Sequence, residues 1–310
     1  MNKVNEISVA SKDGDQLDRK LRVLALATLI STYLLIVLGS TVRVTESGMG
    51  CNGWPLCSGK IGPIDQYHPL LEQSHRYLAT IVTVLICAIA VVTWRAGARA
   101  YHLRGLSMAG VAVIIVQIVL GAITVFTNNA PVTVALHLIV GLLFLAIASI
   151  TAVRAFAGRR SIWNQMGRLD RSAIWAVGGI FLILISGSLV VDGGAEEACP
   201  SWPLCTGSHA QGGLIDLQLI HRGIVLVGTV FAVIYLLKII RGNTRIPSQY
   251  GLALTGAVLL VVQIAAGAVV ALLKAPDVLA DVHLALAAAL WAVIVATAAV
   301  GEIRYSNVVK

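Results

Sequence analysis

Eight runs of apolar residues, each long enough to cross a lipid bilayer, dominate this sequence of 310 residues. A membrane-spanning helix needs about 20 such residues. The runs lie near residues 21–42, 75–94, 106–126, 132–153, 173–191, 217–240, 251–273 and 278–300. Each is predicted to be helical, because lipid offers the backbone no hydrogen-bond partners. Only 12% of the residues are charged, against about 25% in soluble domains. The sequence therefore predicts an all-α integral membrane protein.

Lysines and arginines are distributed unevenly among the segments that connect these runs. The segment before the first run and the loops after the second, fourth and sixth runs are rich in them, whereas the loops at 43–74 and 192–216 are poor. Cytoplasmic loops of membrane proteins carry the excess of positive charge, so both termini are predicted to be cytoplasmic and the two long loops to face outward. The net charge of +8 is spread over short loops and forms no patch for nucleic acid.

The sequence also contains an internal repeat that divides it into two halves. Three motifs recur in order: GSTV at 39–42 as GSLV at 187–190, CNGWPLCSG from Cys51 as CPSWPLCTG from Cys199, and QIVLGAITV from Gln117 as QIAAGAVVA from Gln263. Each half holds an even number of predicted helices, so both copies enter the membrane in the same orientation, which makes the repeat parallel. The sequence predicts eight transmembrane helices in two four-helix bundles.

The predicted boundaries follow from the repeat and the loops. They are a cytoplasmic N-terminal tail at 1–20, a first four-helix unit at 21–155, a cytoplasmic linker at 156–171, a second four-helix unit at 172–303 and a cytoplasmic C-terminal tail at 304–310. The first run is too long for a cleaved signal peptide and has a counterpart in the second half, so it is predicted to be a retained helix.

Four of the seven histidines obey the repeat. His75 corresponds to His221 and His137 to His283, each near the outward start of an even-numbered predicted helix. Ionisable side chains within membrane spans are costly and usually mark a functional site. Two imidazoles facing each other in a bundle can ligate a haem iron, and a flat porphyrin fits between helices. The sequence does not decide which histidines share an iron, but pairing within a half gives each unit its own site.

Two alternatives to haem ligation are open. Histidines near a membrane surface can simply be hydrated, and we interpret His68, His102 and His209 in this way because they fall in loops and break the repeat. The other alternative is zinc, but the spans offer few carboxylates or thiolates to complete a zinc site. Gly121 and Gly267, one turn after the repeated glutamines, are expected to leave room for the macrocycle.

The two halves differ at a carboxylate next to one of these histidines. Glu72 stands three residues before His75, on the same face of a continuing helix, and its counterpart is Gln218. A carboxylate beside a predicted iron ligand in one half only is a candidate acid, base or cation stabiliser. The alternative is a glutamate that is favoured at a helix start by the helix dipole.

Three arginines are candidate partners of haem propionates, through charge-assisted hydrogen bonds. Arg76 and Arg222 directly follow the repeated histidines His75 and His221. Arg43 has Val191 as its counterpart, and its alternative role is to extend to the outer membrane surface.

Four of the five cysteines form two pairs with the same spacing. Cys51 and Cys57 lie in one outward loop, and Cys199 and Cys205 in the other. One disulfide per loop is predicted, because the outward side is oxidising. The first disulfide either only shapes its loop or acts as a redox couple. Cys87, in mid-helix, is interpreted as a packing residue, and the chain lacks the C-x-x-C-H motif of covalently attached haem.

Together these features resemble the haem A synthase family of the bacterial type, which is related to the mitochondrial enzyme. The resemblance covers about residues 20–303 and rests on the four-plus-four repeat, the WPLC segments of the C-x5-C loops, the E-x-x-H motif at 72–75 and the other three repeated histidines. It implies an oxidoreductase of the plasma membrane that oxidises the C8 methyl of haem O to a formyl group. The product, haem A, serves cytochrome oxidase.

The resemblance also implies a role for each half. His75 and His137 would flank the substrate haem O, with Glu72 acting on the oxidised methyl, while His221 and His283 would ligate a haem b. Besides haem O and membrane lipid, the expected partners are haem O synthase and cytochrome oxidase assembly factors.

Two other functions fit parts of the sequence. A cytochrome that only relays electrons between two b haems would need the same histidines, but it does not explain Glu72 or the difference between the halves. A transporter on a parallel repeat usually has broken helices and polar groups at mid-membrane. Here the polar groups cluster near the predicted outer surface.

Overall fold

The structure is a computed structural model that describes residues 2–51, 53–57, 59, 61, 65–158, 170–206, 212–242 and 246–308. The described residues contain eight α-helices. Their bounds are α1 Asn2–Val44, α2 Tyr67–Ala96, α3 Tyr101–Phe126, α4 Pro131–Ala157, α5 Arg171–Asp192, α6 Gly212–Ile240, α7 Pro247–Leu272 and α8 Asp277–Val308. His209 and residues 159–169 of the expected linker lie outside the described residues.

The helices extend beyond the apolar runs that predict them. α1 includes nearly all of the predicted tail at 1–20, and α8 continues to Val308 through most of the predicted tail at 304–310. Hydropathy detects only the part of a helix that lipid can cover, whereas helical hydrogen bonding continues into polar sequence until a cap or a turn ends it. The apolar runs therefore underestimate the helix lengths.

The turns between paired helices repeat as the sequence does. Asn128 and Asn129 connect α3 to α4 with φ of 51° and 55°, and Lys274 and Ala275 connect α7 to α8 with φ of 58° and 49°. Positive φ is tolerated by asparagine but strained for lysine and alanine. Since the second turn keeps this conformation without a favourable residue, the packing of the flanking helices must impose it.

The described helices are suited to lipid rather than water. Seven helical segments are long and apolar enough to span a membrane, and one of them, Tyr67–Phe126, has 60 residues and contains both α2 and α3. A straight helix of that length would measure about 90 Å, against a bilayer core of about 30 Å. Because α2 and α3 pack against each other, the segment folds back on itself. Large side chains such as Val84, 62% exposed, and Leu226, 68% exposed, are stable facing lipid. The chain is a multi-pass membrane protein.

The helix contacts fall into two groups of four. In the first half α1 contacts α2 and α4, and α3 contacts the same two helices; in the second half α5 contacts α6 and α8, and α7 contacts the same two. The halves meet where α4 contacts α5 and α8, and where α1 contacts α8. The buried core at this junction includes Leu142 and Leu145 of α4 together with Trp291 of α8. The Trp291 Nε1–H donates to Leu142 O at 2.9 Å.

Polar contacts tie the two halves together at both ends of the helices. At the end that carries the disulfide loops, the Ser40 hydroxyl of α1 donates to Asp281 Oδ1 of α8 at 2.5 Å. At the opposite end, Arg154 of α4 forms an ion pair with Glu302 of α8 at 3.6 Å. Both disulfide loops thus lie at the same end of the molecule.

Candidate functional site

Each repeated histidine packs against a glycine of the preceding helix. A Cβ on any of these glycines would approach the imidazole to between 2.9 and 3.2 Å, closer than carbon atoms pack comfortably. The pairs are Gly39 with His75 (α1 and α2), Gly121 with His137 (α3 and α4), Gly187 with His221 (α5 and α6) and Gly267 with His283 (α7 and α8). The same glycine–histidine contact therefore occurs in four helix pairs.

This contact gives the glycines a different role from the expected one. The sequence predicts that Gly121 and Gly267 make room for a macrocycle, whereas the structure places the rings of His137 and His283 against them. Glycine inside a helix costs about 1 kcal/mol relative to alanine. Here that cost is offset because the missing side chain lets an imidazole lie against the helix backbone.

Two of the histidines, His75 and His221, lie further inside their helices than the apolar runs suggest, and the histidines of each half interact with one another. α2 begins at Tyr67 and α6 at Gly212, which places His75 and His221 at least two turns inside their helices. His75 is near enough to His137 for their charges to interact, and His221 is similarly near its partner His283. The structure thus brings together two histidines in each half.

Three of the four imidazoles have a polar neighbour that orients them. Gln117 Nε2 lies 3.2 Å from His137 Nε2, and Gln263 Nε2 lies 3.3 Å from His283 Nε2. In both histidines the other ring nitrogen, Nδ1, is buried without a hydrogen-bond partner in the described chain. His221 lies on α6, and its Nδ1 is 2.8 Å from the Oγ of Ser186 on α5.

Such imidazoles fit a haem iron. A metal-bound histidine typically has one ring nitrogen on a second partner and the other on the metal. The buried atoms without a partner here are Nδ1 of His137 and His283 and Oε1 of Gln117 and Gln263. An amide that turns its oxygen towards Nε2 would accept the ring proton there and leave Nδ1 a lone pair for a metal. No cluster of three or more His, Cys, Asp or Glu residues suited to a metal ion occurs among the described residues. The arrangement therefore favours paired axial ligation over the tetrahedral ligand set that zinc requires.

Glu72 is buried and connects its helix to the first disulfide loop. Its side chain forms an ion pair with Arg76, one turn later on α2. Its second oxygen, Oε2, accepts from the Cys51 N–H at 2.7 Å. A carboxylate with an arginine and an amide as partners is held in one orientation. The structure does not show a contact between Glu72 and His75.

The two arginines that follow the histidines also contact the disulfide loops. Arg76 Nη1 donates to the carbonyls of Gly53 at 2.9 Å and Pro55 at 3.1 Å. Arg222 Nη1 donates to the repeat-related carbonyls of Ser201 and Pro203, at 2.8 and 3.0 Å. The first loop is therefore fixed to α2, which carries His75, and the second loop to α6, which carries His221. Contacts of these arginines with haem propionates remain a prediction.

Gln218 takes the place of Glu72 with the opposite hydrogen-bonding role. Its amide Nε2 donates to Ala195 O at 2.8 Å and to Glu196 O at 3.2 Å, whereas Glu72 accepts from the Cys51 N–H. Both side chains hold their loop, but only the first half has a negative charge at this position.

Arg43 connects the two halves. Its guanidinium forms an ion pair with Asp192 at the end of α5 and donates to Ser188 O at 3.3 Å. The Ser188 hydroxyl donates to the other oxygen of Asp192 at 2.8 Å. The sequence alone singles out neither Asp192 nor Ser188, because the partners Arg43 and Asp192 are 149 residues apart and no local pattern links them.

The cysteines pair within their loops. Cys51 is bonded to Cys57 and Cys199 to Cys205, while Cys87 is a free, half-buried thiol on α2. Disulfides and arginine contacts together define the shape of both loops.

The other two histidines in the described part of the chain lie outside the paired sites. His68, predicted to be hydrated, is exposed, and its Nδ1 lies 2.8 Å from the hydroxyl of the fully buried Ser47. His102 lies at the start of α3. Neither takes part in the glycine–histidine contacts.

The sequence is similar to those of one family of proteins. The profile of the COX15-CtaA family, described as cytochrome oxidase assembly protein, matches residues 22–69 and 65–295. A heme A synthase of Geobacillus thermodenitrificans is 28% identical over 199 residues, which cover 62% of this chain and 63% of the relative. The heme A synthases of Geobacillus kaustophilus and Bacillus cereus are 26% and 25% identical over 82% and 87% of this chain, and over 83% and 90% of their own lengths. The family match extends over most of the chain, and this protein therefore belongs to the COX15-CtaA family of cytochrome oxidase assembly proteins.

Proposed function

We propose that this protein is a haem A synthase, an oxidoreductase that converts the C8 methyl of haem O to the formyl group of haem A. The observation that carries the proposal is the pair of half-buried histidines in each half, each packed on a glycine, combined with a buried carboxylate at Glu72 that the second half lacks. Relatives named heme A synthase support it over up to 87% of the chain.

In this proposal each half holds one haem. His75 and His137 bind the iron of haem O, and His221 and His283 bind a haem b that supplies electron transfer when bound. The glycine contacts and the orienting groups Ser186, Gln117 and Gln263 hold the imidazoles in place. Little rearrangement of the protein is then needed for binding.

The first half is proposed to perform the chemistry. The carboxylate of Glu72 stabilises positive charge that develops at the methyl carbon, or accepts a proton from it. Arg76 orients the carboxylate through their ion pair. Arg43, Arg76 and Arg222 lie at the disulfide end of the helices, where they are proposed to attract the haem propionates.

The proposed topology has eight membrane crossings in two four-helix bundles related by a parallel repeat. The helix contacts support it, because the contacts between the halves are symmetric. The contact of α1 with α8 corresponds to that of α5 with α4, and α4 contacts its own counterpart α8. The disulfide loops then face outward and both termini lie in the cytoplasm of a plasma-membrane protein, as the distribution of basic residues indicates.

Haem analysis of membranes tests the proposal. The full chain is expressed in a host that makes haem O but no haem A, and the extracted haems are separated by chromatography with mass detection. We expect a new peak with the mass of haem A or of its hydroxylated precursor. Unchanged haem O alone, from membranes in which the protein is folded and loaded with haem, would instead indicate a cytochrome that only relays electrons.

A further inference from the structure

The four repeated histidines differ in how they are held, and the difference separates the two halves. His137, His221 and His283 each have a side-chain partner on one ring nitrogen. Within the described part of the chain, the imidazole of His75 has no hydrogen-bond partner. Its packing contact is with Gly39 of α1.

The missing partner of His75 follows from a single difference between the repeats. Ser186, which contacts His221, directly precedes Gly187, the glycine on which His221 packs. In the first half the residue that directly precedes Gly39 is Leu38. Gly39 and Gly187 are matched in the repeat, although the ring atom nearest the glycine is Nε2 in His75 and Cε1 in His221. Leu38 thus occupies the position of Ser186 with a side chain that cannot form a hydrogen bond.

The hydrogen bonds of Ser186 favour one tautomer of His221. The Ser186 hydroxyl donates to Ile183 O at 3.0 Å. When the hydroxyl proton is on that carbonyl, the Ser186 oxygen is an acceptor towards His221 Nδ1 at 2.8 Å. Nδ1 must then carry the imidazole proton, which leaves the lone pair of Nε2 for a ligand.

Such a hydrogen bond strengthens an imidazole as a metal ligand. An acceptor on the N–H side orients the ring and raises the basicity of the other nitrogen, and losing it typically lowers metal affinity by about 10- to 100-fold. The same partner affects the reduction potential of a haem iron, because a more basic imidazole stabilises the ferric state.

We propose that Ser186 is a positioning residue that keeps the haem of the second half permanently bound, and that Leu38 leaves His75 a weaker ligand so that the haem of the first half can exchange. This inference rests on the proposed function, in which the second haem is a resident cofactor and the first is a substrate that must be released as product. The exchangeable ligand lies in the half that also carries Glu72.

Rates of haem loss test the inference without any turnover. The full chain is purified in detergent and loaded with haem b, and transfer of haem to an excess of apomyoglobin is followed by absorbance. A His75→Ala background isolates the second site, and a His221→Ala background isolates the first.

At the second site, Ser186→Ala is expected to accelerate haem loss by about 10- to 100-fold and to make the midpoint potential more positive. Ser186→Thr, which keeps the hydroxyl, should restore both values. The matched control is Ser149→Ala, which also removes a buried hydroxyl, one that donates to Leu145 O within its own helix. At the first site, Leu38→Ser is expected to slow haem loss.

Two results would overturn the inference, and they differ in what they say about the proposed function. If haem binds both sites but neither loss rate nor potential responds to Ser186→Ala, the serine has only a packing role and the proposed function stands. If neither half binds haem through its histidines, both the inference and the proposed function are wrong.

Discussion

The close contact between Gly267 and His283 makes a steric prediction about haem binding. A Cβ at position 267 would lie 2.9 Å from His283 Cε1, whereas carbon atoms pack at about 3.5–4.0 Å. In Gly267→Ala the ring must therefore move by at least about 0.6 Å. Overpacking of this kind costs about 1–3 kcal/mol. If that cost falls on the haem-bound orientation of the ring, haem affinity drops by about 5- to 140-fold.

A matched control separates the imidazole contact from any effect on the helix. Gly251 lies on the same helix, α7, and a Cβ there would meet nothing within 4 Å. Alanine is favoured over glycine in a helix by about 1 kcal/mol, so both substitutions should strengthen α7 itself. If Gly267→Ala loses haem and Gly251→Ala does not, the loss is due to the displaced His283 ring.

The assay is haem content per protein together with the absorbance spectrum. Both variants are purified in a His75→Ala background, so that only the second site contributes. We expect Gly251→Ala to retain haem with a six-coordinate, low-spin spectrum, and Gly267→Ala to lose haem or that spectrum. Haem content and spectrum unchanged in Gly267→Ala would refute the idea that the glycine positions the histidine for iron.

Three further predictions follow from individual contacts. Glu72→Ala should retain bound haem but abolish turnover, and haem A production at the wild-type level in that variant would remove Glu72 from the mechanism. Arg43→Ala leaves Asp192, only 7% exposed, without its charged partner and should destabilise the protein by about 3–5 kcal/mol. In thermal unfolding, the double variant with Asp192→Ala should lose less stability than Arg43→Ala alone. Equal losses of stability in the two variants would argue against the ion pair. His221→Ala should lose the second-half haem, and an unchanged haem content would contradict that assignment.

Much of the fold is predictable from the sequence because lipid imposes simple rules on it. A run of about 20 apolar residues has to be helical in a membrane, and the repeated motifs by themselves relate His75 to His221 and His137 to His283. The helix ends are less predictable, since α1 and α2 continue into polar sequence that hydropathy does not detect.

The parts of the site that the sequence does not predict depend on contacts between distant segments. Arg43 and Asp192 meet across the two halves, whereas the sequence suggests only a haem propionate or the membrane surface for this arginine. The sequence suggests that Gly121 lies beside a macrocycle, whereas the structure packs the His137 ring against it. The sequence does not predict this contact, because the position of the ring depends on how the helices pack. Ser186 does carry a signal, since it replaces Leu38 next to a repeated motif, but its importance depends on the contact with His221.

The proposed activity is tested most directly by the haems that copurify with the protein from a host that makes haem O but no haem A. The account predicts that wild-type protein carries haem b together with haem A or its hydroxylated precursor. It also predicts that His75→Ala keeps haem b and yields neither oxidised product. Wild-type protein that carries haem b and only unmodified haem O would contradict the account.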